Sequence, residues 1–222
     1  PDPFEAVLQA STQQGVIRIS SNENARGPGK AALDAMRKVI TGDVGRYGRE
    51  VANTELPAAI ASRIGHGLTS ENILTSTGSA GILEAGVRAY VSERKPLVNA
   101  APSYENPTEI AGLLGAEVRR VPVAASLKLD LDGMAEAAKG AGLVFLCNPN
   151  NPTATAHSQS AVSAFIQRVK SDSPDTAILV DEAYIDYATD TTVGTAAAET
   201  LKYDDVFITR TFSKAYGMAG LR

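Results

Sequence analysis

The chain has 222 residues, 44% hydrophobic and 21% charged, with a formal net charge of −4 and one cysteine, Cys147. This is ordinary soluble-globular composition, enough for a sizeable core in one or two domains. It argues against nucleic acid as a partner, since phosphate-backbone binders are usually basic, against an internal disulfide, and against a membrane helix, because no apolar run approaches the ~20 residues a span needs.

Residues 16–29 read VIRISSNENARGPG, a short strand-like piece running into a polar turn. Pro28 suits the first turn of a helix over 29–40. Gly45-Arg46-Tyr47-Gly48 then precedes a helical pattern over 53–64. Residues 73–77, ILTST, are strand-like; Gly78-Ser79-Ala80-Gly81 follows, opening a helix over 79–91. Glycine at such a turn lets backbone N–H groups approach an anion, and a helix N-terminus favours negative charge.

The next strand spans 96–100 and is followed by Ala101-Pro102-Ser103-Tyr104; a helix over 106–114 leads to a strand over 117–123. Residues 143–147, LVFLC, form a wholly apolar strand with Cys147 as a buried member. Asn148-Pro149-Asn150-Asn151-Pro152-Thr153 carries two Asn-Pro steps, which impose an extended loop and make cis bonds accessible. A helix over 158–170 sets Val162, Phe165, Ile166 and Val169 on one face. The strand over 177–180 ends in Asp181-Glu182-Ala183-Tyr184. A carboxylate there faces the ligand crevice of an open α/β sheet, although the same aspartate alone could simply cap a helix.

The last stretch is VFITRTFSKAYGMAGLR, residues 206–222. A β-branched strand gives way to Arg210, Thr211, Ser213 and Lys214, with Arg222 eight residues further on. Lysine is the usual Schiff-base former with carbonyls and with pyridoxal phosphate (PLP), and hydroxyls with a guanidinium are what a phosphate needs. His66 and His157 lie apart from any cysteine or acidic cluster, so both read as non-catalytic and no metal is expected.

These motifs, in this order, resemble the class I/II (fold type I) PLP-dependent aminotransferases, most closely the histidinol-phosphate aminotransferase subgroup. Asn22-Glu23-Asn24 with Gly27-Pro28 is similar to the family's N-E-N-P-x-G-P entry segment, with Ala25 in place of proline; Asn148 to Thr153 matches its Asn-Pro string, with Ala154 in place of the usual glycine. The resemblance implies an aspartate aminotransferase-like fold: a mainly parallel sheet flanked by helices, its site at the carboxyl edge. Residues 1–44 would be an N-terminal arm and the start of a small domain, and 45–222 the large PLP-binding domain. The C-terminal small domain, with the arginine that grips the substrate carboxylate, would lie beyond Arg222, and the chain would stop inside a helix.

The resemblance also implies the roles. Lys214 would hold PLP covalently and then move the substrate's α-proton, Asp181 would pair with the pyridine nitrogen, and Tyr104 would stack on the ring. Asn151 and Tyr184 would bond its 3′-oxygen. Gly78, Ser79, Ala80, Thr211, Ser213 and Arg222 would anchor the phosphate, joined by Tyr47 from the partner subunit of a homodimer with shared sites. Asn24 and Asn151 would meet the substrate. The implied reaction moves an amino group between an amino acid, glutamate being expected, and a 2-oxo acid or phosphorylated ketone. Two other readings stay open: a PLP decarboxylase or lyase on the same scaffold, and a PLP-sensing regulatory module. Small-molecule partners and a cytoplasmic location are expected, with an export signal removed before Pro1 as the alternative.

Overall fold

The computed structural model describes residues 19–42, 45, 47–48 and 51–221. Five short apolar runs supply the strands: β1 (Leu97–Ala101), β2 (Val118–Pro122), β3 (Leu143–Cys147), β4 (Ala177–Asp181) and β5 (Val206–Thr209). They form one sheet in the order β2-β1-β3-β4-β5, and every pairing is parallel. Parallel neighbours need crossovers, and helices provide most of them. These are α4 (Asn106–Leu113) between β1 and β2, α5 (Leu131–Ala137) between β2 and β3, and α6 (Gln159–Asp172) between β3 and β4. The short α7 (Ala197–Thr200) lies in the link from β4 to β5. Ahead of the sheet come α1 (Lys30–Ile40), α2 (Leu56–Ile64) and α3 (Ser79–Tyr90).

Side-chain alternation along the strands divides the core in two. Val98, Ala100, Val144, Leu146, Ile178 and Val180 pack with Met134 of α5 and with Val162, Phe165, Ile166 and Val169 of α6. Leu97, Leu143, Phe145, Cys147, Ala177 and Leu179 pack with Leu83 and Val87 of α3 and with Ile110 and Ala111 of α4. Both faces of the central strands are therefore covered, which is why β3 and β4 are apolar at nearly every position. Each fully buried Leu, Ile, Val or Phe contributes about 1.5–3 kcal/mol. Two helix starts are capped by side chains: Ser158 accepts from Ala161 N, at the start expected from the sequence, and Asp130 accepts from Gly133 N.

Three expectations change. Residues 73–77 form no strand; a 3₁₀ turn, Ser70–Asn72, is followed by irregular chain, and Leu74 is 78% exposed. β-branched residues alone do not make a strand, since a ladder partner is required and none among the described residues lies beside this segment. The residues after Lys214 form successive turns rather than a helix, with Gly217 N donating to Lys214 O and Leu221 N to Met218 O. Gly217 has φ +69, and a side chain there would collide with the backbone of Gly27, so close approach sets this path. Helix α5 carries no strong periodic signal and was not foreseen. The strand-like residues 16–18, Arg46 and Arg222 lie outside the described residues.

Candidate active site

Parallel register brings the chemistry together. Asp181 is the last residue of β4, level with Cys147 of β3 on one side and Thr209 of β5 on the other. The three sit in line at the carboxyl edge. Thr209 Oγ1 donates to Asp181 Oδ1 at 2.8 Å, and Ala183 N donates to the same oxygen at 3.2 Å. No hydrogen bond from the described residues reaches Oδ2. Asp181 is 3% exposed. Burial pushes its carboxyl up to about 6 despite those two bonds and the nearby Lys214 charge, both of which pull it down. The site thus holds a buried carboxylate with one oxygen open, poised for a cationic or N–H partner.

Tyr184 follows three residues later, and burial raises its phenol above the ordinary range. Lys214 Nζ lies 5.7 Å from the Tyr184 ring centre and donates to Ser21 O at 2.9 Å. Tyr104 also feels the charge of Asp181 and the phenol of Tyr184, so it belongs to the same neighbourhood; burial is the largest cause of its raised phenol. Asn151 and Tyr184 line one cavity of about 530 Å³ with Asn22, Pro149, Tyr187 and Asp190. The cis bonds at Asn148–Pro149 and Asn151–Pro152 are both present in the loop leading there. Ala154 adopts φ +56 and closes a turn to Asn150 O, so the left-handed path survives without glycine, at about 1–2 kcal/mol.

The Gly78 turn reaches the same edge by a different route. Helix α3 ends at Tyr90, and the tight Ser92–Lys95 turn brings the chain to Pro96, whose carbonyl accepts from Gly142 N just before β3 begins. The C-terminus of α3 therefore lies at the amino edge, and its N-terminus points to the carboxyl edge. Gly78 has φ +78, and no side chain caps the helix, so the N–H groups of its first turn, at Ser79 and Ala80, are not taken up by a capping side chain. Ser213 N donates to Thr211 Oγ1 at 3.1 Å in the turn that carries Lys214, and Ser213 is buried. Thr211 also borders a second, largely apolar cavity of about 520 Å³ beside β5.

Of the remaining expected residues, Asn24 Nδ2 donates to Ala215 O at 3.0 Å, which ties the entry segment to the lysine turn. Tyr47 is 91% exposed in the single chain. Arg222 lies outside the described residues.

Several contributors escaped the sequence reading. Thr209 was seen only as a strand residue, although parallel register with Asp181 could have flagged it. Asn150 Nδ2 donates to Pro102 O and Thr153 Oγ1, and its Oδ1 accepts from Ser103 Oγ. It thereby rivets the Asn151 loop to the Tyr104 loop. Glu182 is the third. Its carboxylate, 2% exposed, accepts from Thr195 Oγ1, Ala196 N and Arg210 Nε, the last at 3.0 Å. This pair, with Glu182 buried and Arg210 half-buried, joins the exits of β4 and β5, one residue before Thr211.

The family description "Aminotransferase class I and II" matches residues 14–222. The chain is 37% identical over 214 residues to histidinol-phosphate aminotransferase 2 of Nitrosospira multiformis, covering 95% of this chain and 52% of that protein. It is 34% identical over 218 residues to the aromatic amino acid aminotransferase of Corynebacterium jeikeium, covering 98% and 56%. The crystal structure of histidinol-phosphate aminotransferase from Sinorhizobium meliloti in complex with pyridoxal-5′-phosphate superposes with a TM-score of 0.85 at 31% identity, over 98% of this chain and 57% of that one. The chain thus spans little more than half the length of the relatives it matches.

Proposed function

The chain belongs to the class I and II aminotransferases, and we propose that it is the large-domain part of a PLP-dependent enzyme moving an amino group from an amino acid, glutamate first, to a 2-oxo acid or a phosphorylated ketone. The observation that carries this is the convergence at one sheet edge of the buried Asp181 carboxylate, the Lys214 amine and the Tyr184 hydroxyl.

The residues fit PLP group by group. The open oxygen of buried Asp181 suits a protonated pyridine nitrogen. The uncapped α3 N-terminus behind Gly78, with Ser79 and Ala80, suits a phosphate, assisted by Thr211 and Ser213, with Arg222 assigned alongside. Tyr104 offers a flat face to the ring, and Asn151 and Tyr184 offer donors to its phenolic oxygen. When bound, PLP supplies an aldehyde for condensation with amines and a ring that accepts electron density from the substrate's α-carbon. The chain does the rest. Lys214 would hold the aldehyde carbon through Nζ, and the same Nζ would accept and return the substrate's α-proton. Asp181 would keep the ring nitrogen protonated. Asn24 and Asn151 are assigned to the substrate.

Residues 1–44 are proposed as the arm and first part of a small domain, and 45–222 as the large domain. Tyr47 is assigned to the neighbouring subunit's phosphate in a two-fold dimer; the exposure of its ring in the single chain supports that assignment. No helix among the described residues is long and apolar enough to cross a membrane; the cytoplasm is the proposed location.

The test is an acceptor screen of the intact protein with glutamate as donor, reading 2-oxoglutarate. Glutamate-dependent turnover with an oxo acid or phosphorylated ketone is expected. Release of carbon dioxide from an amino acid without 2-oxoglutarate would contradict the transfer reading and favour a decarboxylase.

A further inference from the structure

We propose that Asn22 is a positioning residue that sets the direction of the Tyr184 hydroxyl in the active site, an inference that rests on the function proposed above. Asn22 opens the Asn22-Glu23-Asn24 segment, and its own contacts give it this role. Asn22 Nδ2 donates to Tyr184 Oη at 3.1 Å, across 162 residues of chain. Asn22 lines the 530 Å³ cavity together with Tyr184 and Asn151. It sits at φ +52, in the left-handed region that asparagine tolerates better than most residues. The preceding residue, Ser21, accepts from Lys214 Nζ through its carbonyl at 2.9 Å. Two consecutive residues therefore engage both the amine and the phenol of the site.

The consequence follows from hydrogen-bond inventory. A phenolic oxygen has one proton to give and lone pairs to receive. With Asn22 donating into a lone pair, the phenol's own proton is turned elsewhere, toward the acceptor assigned to it, the 3′-oxygen of PLP. Asn22 also polarises the phenol and strengthens that donation. Without Asn22 the hydroxyl is free to rotate and donates less often, so the 3′-oxygen loses stabilisation of its negative form. The titratable or charged groups facing Tyr184 are Asp181, Cys147, Tyr187, Tyr104 and Lys214, and the substitution leaves all of them in place.

The experiment is a pH titration of the bound cofactor's visible absorbance in the intact holoenzyme. It compares the parent with Asn22→Gly, which keeps the positive φ and deletes only the amide, and with Asn22→Ala, which deletes the amide donor while keeping a Cβ and adding no charge. Each is made alone and in a Tyr184→Phe background. Cofactor dissociation constants are measured alongside. We expect the titration midpoint to rise by about half a unit or more in both Asn22 variants, PLP affinity to fall several-fold, and neither change to appear in the Tyr184→Phe background. An unchanged midpoint, or a shift that persists undiminished without the Tyr184 hydroxyl, would overturn the proposal while leaving the proposed function standing. A parent protein with no visible band from bound cofactor would overturn both.

Discussion

Replacing Asp181 by asparagine is expected to leave PLP bound on Lys214 and to lower turnover on the order of a thousandfold, about 4 kcal/mol in the transition state. The residues assigned to the phosphate and the lysine are untouched, so binding should survive; a neutral amide cannot hold the ring nitrogen protonated, so the electron sink should fail. In the cofactor-free protein the same change acts with opposite sign on stability. Burial raises the Asp181 carboxyl from 3.8 to about 6. The folded chain then holds that proton more tightly than the unfolded chain, and stability falls as pH rises through about 4 to 6. Above pH 6 the ionised carboxylate costs about 3 kcal/mol, a cost that asparagine avoids while keeping an oxygen for Thr209 and Ala183. Denaturation at pH 5 and pH 7 should therefore show the variant gaining on the parent as pH rises. If Asp181 were only a helix cap, asparagine would replace it well; near-normal turnover with no pH-dependent difference in stability would establish that bland role.

Glu182→Ala should be the most destabilising polar substitution near the site. It removes the acceptor for Thr195, Ala196 and Arg210 at once and leaves Arg210 without its partner. Breaking a buried pair by deleting one member costs about 3–5 kcal/mol. The Arg210 side chain is 27% exposed and can recover some hydration, so the lower end is expected. Glu182→Gln should cost less, because its amide oxygen still accepts from Thr195 and Ala196. Denaturant midpoints measure both, and a loss below about 1 kcal/mol for Glu182→Ala would show that the network is dispensable. Its neighbour Asp181 differs: the chain satisfies both oxygens of Glu182, whereas Asp181 accepts at Oδ1 alone among the described residues.

The sequence showed most of the fold because the parallel strands β3, β4 and β5 are written as uninterrupted apolar runs and the helices between them carry one-sided patterns. It did not show that residues 73–77 would stay irregular, because a β-branched run says nothing about whether a ladder partner exists. Nor did it show α5, whose seven residues are too few for a periodic signal. The placement of Asp181, Tyr184 and Lys214 at one sheet edge was legible because Asp181 ends a strand, the other two follow strand ends closely, and their neighbours carry the family motifs. Thr209, Asn150, Glu182 and Asn22 were not. Their roles come from register and from contacts across tens of residues or more, up to 162 for Asn22 and Tyr184. A polar residue, even inside a motif, does not announce its contacts until the fold supplies its partner.

Lys214 is the proposed covalent seat of the cofactor, and borohydride reduction of the intact enzyme followed by peptide mapping tests this directly. Reduction converts a lysine–cofactor C=N bond into a stable amine and fixes the label where it was formed. A yellow protein is expected that bleaches on reduction and carries one phosphopyridoxyl group on the peptide containing Ser213-Lys214. Label on any other lysine, or no retained cofactor, would contradict it.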